Sequence, residues 1–178
     1  MWAQFFKLMI AVAFGNLAFL YAFVLIVDPY DTLPFSPRLD RTAVSTNQRF
    51  SYPALAASQR FDSAVFGTST TRLLSPDDME QAFGGQFANL SMNSATAYEQ
   101  QQIFNLFMAA HPTPKTILFG IDVSWCESGA APAKFTFRPF PPWLYDGNPW
   151  NDALYLINFS AIEQAGRQFA TLAGWRDV

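Results

Sequence analysis

With one cysteine and one histidine in 178 residues, the chain lacks the side chains from which several kinds of site are built. Cys126 alone makes no internal disulfide, and one Cys with one His provides no set at metal-ligand spacing, which excludes a structural zinc site. Basic residues are also few: 11 Lys and Arg stand against 14 Asp and Glu, for a formal net charge of -3, and they are scattered rather than clustered. That leaves no electrostatic footprint for nucleic acid. No cofactor is expected. Apolar and aromatic residues are plentiful, at 51% and 17% of the chain, which is ample for one core at about one domain's length.

Residues 8–27 contain no charge. A helix of that length spans about 30 Å, the thickness of a bilayer's hydrocarbon core. A cleaved signal peptide is the competing reading, but the run is too long and no small-x-small site precedes Asp28. Residues 1–28 are therefore expected to form an uncleaved, single-pass transmembrane anchor. Lys7 precedes the span while Asp28 and Asp31 follow it, so the positive-inside rule puts the amino end in the cytoplasm. The rest of the chain then lies outside the cytoplasm, in the periplasm if the membrane is a bacterial inner membrane. Ala11, Gly15, Ala18 and Ala22 line one helix face, with Asn16 beside it, a pattern that admits another membrane helix. Ala and Gly are also common in spanning helices that have no such neighbour.

Residues 29–52, with Pro29, Pro34 and Pro37, read as an extended connector, so the folded domain is expected over 53–178. That domain is organised around a short apolar strand at 63–66, which stops in the hydroxyl-rich turn Gly67-Thr68-Ser69-Thr70-Thr71. Ser75-Pro76-Asp77-Asp78 then starts a helix ended by Gly84-Gly85. A second strand at 87–90 leads through a small polar turn into a helix at 97–110, and 116–121 is a third strand ending at Asp122. Alternating strands and helices predict a small α/β domain, a three-layer α/β/α sandwich with a short parallel sheet. Its strand ends would gather Ser69, Asn93, Ser94 and Asp122 on one edge, where open sheets bind ligands. A plain strand-to-helix loop, its hydroxyls only satisfying the backbone, explains the same turn.

Residues 127–150 form a Pro-rich, aromatic-rich loop, long enough to be a lid or docking surface. Phe140, Trp143, Tyr145 and Trp150 are its candidate partner-binding residues, with packing over the sheet as the alternative. Asn151 or Asp152 is expected to cap one last helix reaching about residue 172, with an apolar stripe of Leu154, Ile157, Ala161, Ala165 and Leu172.

Gly67-Thr68-Ser69 after a strand, a small polar turn after the second strand, and Gly120-Ile121-Asp122 closing the third together resemble the first three blocks of the SGNH (GDSL-like) hydrolase superfamily. With the anchor and Asp28-Pro29-Tyr30, residues 1 to about 125 look like its membrane-anchored periplasmic branch, which includes polysaccharide acetylation and D-alanyl-transfer proteins. The resemblance implies the first half of a flavodoxin-like SGNH fold. It implies Ser69 as nucleophile, and the amides of Thr68 and Ser94 as oxyanion donors. Asp122 falls where the family commonly has an asparagine; a carboxylate there accepts only and repels a developing oxyanion.

The family's general base comes from a carboxy-terminal Asp-x-x-His block that this sequence lacks. Its only histidine, His111, precedes the third strand at the opposite edge of the sheet, roughly 17 Å from Ser69 by strand length. Either the chain is a truncated enzyme or it is a complete, non-catalytic relative. The second is the expectation here: a membrane-anchored accessory or scaffold subunit that contacts lipid and a membrane-protein partner. The alternative is a serine esterase or O-acyltransferase acting on cell-envelope polysaccharide or a similar ester, with Ser69 as nucleophile.

Overall fold

The structure is a computed structural model that describes residues 2–126 and 134–175. It is mixed α/β, with six α-helices and a three-stranded parallel sheet among the described residues. The chain divides into two compact units, one formed by the residues up to Val44 together with those from Asn148, the other by Ser45–Gly147.

The first unit is built on α1 (Trp2–Val27), the one described helix long and apolar enough to cross a membrane. This is compatible with a single-pass anchor. Its side chains are exposed on every face up to Phe19, whereas Val24 and Val27 are buried. Asn16 donates its side-chain amide to the Val12 carbonyl at 2.8 Å, so that donor is satisfied within the helix and needs no neighbour.

The stretch after α1 is not simply draped. Asp28, fully buried and in the left-handed region at φ 47°, accepts from the Leu33 amide at 3.0 Å, the Thr32 amide at 3.3 Å and the Ser36 hydroxyl at 2.8 Å. Arg41 donates to the Val27 carbonyl at 2.7 Å and the Ile26 carbonyl at 3.3 Å, placing a cation on the helix end where the macrodipole favours one. Burial holds the Asp28 carboxyl above its ordinary range, against the opposing pull of those hydrogen bonds and Arg41. The folded state therefore binds this proton more tightly than the unfolded chain does. Stability from this group is full below the unfolded value and is lost as pH rises through the folded one. Asp28→Asn keeps an acceptor and a residue type that tolerates this backbone, so thermal unfolding of the variant should lose that fall in stability as pH rises above the ordinary carboxylate range, while the unit stays folded.

Where one last helix was expected, two are found. Helix α5 (Asp152–Tyr155) ends after one turn, because Asn158 offers a second N-cap, its side chain accepting from the Ala161 amide at 2.8 Å, and α6 (Phe159–Leu172) starts there. Ala161, Ala165 and Gln168 form the buried face of α6, while Leu154 and Ile157 of the expected stripe are exposed. Gln168 pairs its amide with both backbone groups of Thr42, at 2.8 and 3.2 Å. Phe169 meets Phe23 of α1 edge-on, ring centroids 5.7 Å apart.

The second unit begins earlier than the expected 53, with α2 (Gln48–Ala57) starting inside the stretch read as connector. Its sheet has β1 (Ser63–Phe66) at the centre, flanked by β2 (Phe87–Asn89) and β3 (Thr116–Phe119), all parallel. Ala64 and Phe66 point to one face, packed with Ala56 of α2 and with Ile103 and Phe107 of α4 (Ala97–Ala110). Val65 points to the other, with Met79 of α3 (Pro76–Phe83), Phe87 and Leu118. The path from β1 to β2 and then back across β1 to β3 reverses direction, and with right-handed crossovers that puts α3 and α4 on opposite faces. Such a reversal opens a crevice at the carboxyl ends of β1 and β3.

Candidate functional site

The sheet ladder runs past the end of β1 on both sides and fixes the turn that follows. The Gly120 amide donates to the Phe66 carbonyl at 2.8 Å, and the Met92 amide to the Gly67 carbonyl at 3.0 Å. Thr71 tucks its side chain between Gly67 and Gly120, where a Cβ on either glycine would overlap it. From there a single 3-10 turn, Thr71–Leu73, leads the chain away, with the Arg72 amide bonded to the Thr68 carbonyl at 3.1 Å.

This arrangement leaves Thr68 buried and Ser69 exposed. The Thr68 hydroxyl donates a short hydrogen bond to the Asp122 carboxylate, tying the loop after β1 to the loop after β3. A cleft of about 820 Å³ opens there, and Thr68, Ser69, Ser94 and Asp122 all line it. Ser94 is exposed, at φ 54° in the left-handed region that favours glycine. Asn93 does not line the cleft. Its side-chain oxygen accepts from Arg72 at 3.1 Å and its carbonyl from both terminal nitrogens of Arg49 at 3.3 Å.

Two parts of this site escape a reading of the sequence. One is the far wall, where Lys134 sits over the Tyr98 ring at 4.7 Å and the Phe135 ring stands edge-on to Tyr98 at 5.3 Å. The other lies behind the wall. Arg49 and Glu99 form a fully buried pair, Nε to Oε1 at 2.9 Å and Nη2 to Oε2 at 2.5 Å. Glu99 closes a capping box with Thr96 at the start of α4, and Arg49 also donates to the Thr136 hydroxyl at 3.2 Å. Ionic side chains so paired hold Asn93, Thr96 and Thr136 around one side of the cleft. A capping-box pattern, Thr96-x-x-Glu99, is the one signal in the sequence that touches this network.

The aromatic residues of the loop divide between the two units. Residues 127–133 lie outside the described residues. Phe140 stacks on Tyr145, with ring centroids 4.5 Å apart, and Tyr145 donates its hydroxyl to the Arg49 carbonyl at 2.9 Å. That bond has a local cause: Pro53, inside α2, has no N–H to give to the carbonyl four residues back, and Tyr145 supplies the missing donor. Burial raises the Tyr145 phenol well above its ordinary value, so it stays a donor. Tyr145 is half-buried and packs through these contacts. Trp143 is half-buried, and Trp150 belongs to the other unit, where it is exposed beside Phe35 at 6.1 Å.

The chemistry on offer is hydroxyls, one carboxylate, one ammonium group and two aromatic faces, with no imidazole among the described lining residues. His111 caps the carboxy end of α4, stacked on Phe107 at 4.2 Å, its two ring nitrogens 3.0 Å from the Phe107 carbonyl and 3.1 Å from that of Ser58. Among the described residues no group of three metal-ligating side chains occurs. The anchor residues Ala11, Gly15, Asn16, Ala18 and Ala22 are all exposed. Compared with known proteins, the chain matches no family model, no curated protein and no solved structure.

Proposed function

We propose that this chain is a membrane-anchored, extracytoplasmic accessory or scaffold subunit whose SGNH-like cleft does not itself turn over an ester. The observation that carries this reading is the surroundings of Ser69. A serine hydroxyl is a weak nucleophile until a base takes its proton; no imidazole lines the cleft among the described residues, and the only histidine of the chain is held between α2 and α4. The anchor would join the chain to a bacterial inner membrane, with the amino end cytoplasmic and the domain periplasmic. Its exposed small-residue face, on which a Cβ at Gly15 meets nothing within 4 Å, would take a helix of a membrane-protein partner.

One observation favours the second reading, a serine esterase or O-acyltransferase. Ser69 is exposed at the end of a central parallel strand, and Ser94 holds a glycine-like backbone on the same cleft, as the family's oxyanion glycine would. On that reading Ser69 attacks an acyl ester of envelope polysaccharide, the Thr68 and Ser94 amides receive the oxyanion, and the base comes from outside this chain.

Co-purification from membranes tests the docking part of the first reading. Gly15→Leu fills the contact face and is expected to reduce recovery of a membrane partner several-fold, while Ser69→Ala leaves recovery and folding unchanged. Unchanged recovery with Gly15→Leu counts against the anchor face as the docking site.

A further inference from the structure

The turn between α5 and α6 carries three large apolar side chains that its own unit does not cover: Leu154, Ile157 and Phe159 are 70%, 68% and 83% exposed. The turn is fastened to the anchor helix. Tyr21 donates its hydroxyl to the Ala153 carbonyl at 2.9 Å. Tyr21 lies six residues before the end of α1, about 9 Å along the axis at 1.5 Å per residue. The α5 side of the turn is therefore level with the apolar run of α1, while the start of α6 meets the loop after Val27, where the Ser160 and Tyr30 hydroxyls share a hydrogen bond.

A second observation concerns the backbone of this turn, part of which is bonded within the turn. Asn158 donates to the Tyr155 carbonyl at 2.7 Å and accepts from the Ala161 amide at 2.8 Å, so one side chain satisfies the end of α5 and the start of α6. The Leu156 amide bonds the Ala153 carbonyl at 3.3 Å, and the Ile162 amide bonds the Asn158 carbonyl at 3.2 Å. The two charged residues of α6, Arg167 and Glu163, pair with each other at 2.6 Å. Internal partners for part of the reversal's backbone lower the cost of a water-poor setting.

Resting on the reading of α1 as a spanning helix, we propose that the α5–α6 turn is a second membrane contact, with Leu154, Ile157 and Phe159 entering the headgroup and acyl boundary of the bilayer that α1 crosses. Lipid is the occupant because the turn continues the surface of α1, whose side chains up to Phe19 are exposed and largely apolar on every face. The offset of the α5 end of the turn along α1 also matches the insertion of about 5–10 Å at which amphipathic interfacial helices lie. The unit then grips the membrane at two points, and the anchor loses the free rotation of a single tether.

The test uses the full chain with Cys126→Ser and one added cysteine, Ile157→Cys or the in-span reference Leu17→Cys. Each is labelled with an environment-sensitive fluorophore and reconstituted in vesicles of phosphatidylethanolamine and phosphatidylglycerol. At position 157, nitroxide lipids labelled near the headgroup should remove most of the emission while aqueous iodide removes little. A lipid-quenched label at 17 with an iodide-quenched label at 157 overturns the second contact and leaves the anchor standing. A label at 157 shielded from both quenchers means that protein covers the turn, and also overturns it. An iodide-quenched label at 17 removes the anchor reading and this inference with it.

Discussion

Arg49→Ala is expected to lower the unfolding free energy of the Ser45–Gly147 unit by about 3–5 kcal/mol, the usual cost of removing one partner of a buried ion pair. Both side chains of the pair are fully buried, so the variant leaves the Glu99 carboxylate without its counter-charge and away from water. The same change frees the Asn93 carbonyl and the Thr136 hydroxyl. Replacing both partners with apolar residues, Arg49→Met with Glu99→Leu, should recover most of the loss, because no buried charge remains. Recovery will stop short by about 1 kcal/mol, since Glu99 also accepts from the Thr96 amide at 3.1 Å in the capping box. Denaturant titration of the single and double variants checks both values.

Phe66→Ala should cost about as much, roughly 3–5 kcal/mol for a fully buried phenylalanine, for a different reason. The ring is fully buried at the end of β1 and touches three others, Phe104 at 5.5 Å, Phe107 at 5.9 Å and Phe119 at 5.1 Å. Its removal opens a cavity among helix α4 and strands β1 and β3 that rigid neighbours only partly fill. Because Phe66 directly precedes Gly67-Thr68-Ser69, the variant should also loosen the strand-edge turn. Faster amide exchange at Gly120, whose N–H is bonded to the Phe66 carbonyl, would report that loosening separately from global stability.

The sheet and its helices were legible because their residues follow the simple periods. Short apolar runs bounded by Gly, Ser and Thr mark β1, β2 and β3, and the spacing of Ile103 and Phe107 marks α4. Helix α2 was not legible, for the opposite reason. Its buried face is Arg49, Pro53 and Ala56, at helical spacing, but Arg reads as exposed and Pro as helix-breaking. A buried Arg shows itself only through its partner, and Glu99 is fifty residues away. The edge cleft was half legible: strand ends placed Ser69, Ser94 and Asp122 together, whereas Lys134 and Phe135 come from a loop with no period to read. Similarly, Leu154 and Ile157 fit an apolar helical stripe in one dimension, and only the Asn158 cap turns them outward.

The most direct measurement is labelling of the detergent-solubilised chain with a fluorophosphonate probe, comparing wild type with Ser69→Ala. Such probes react with serines whose proton is taken by a neighbouring base. No Ser69-dependent labelling is expected in folded protein, since no imidazole lines the cleft among the described residues and His111 is bonded elsewhere. Labelling of the wild type that disappears in Ser69→Ala would contradict the scaffold reading and make the chain a serine hydrolase or acyltransferase.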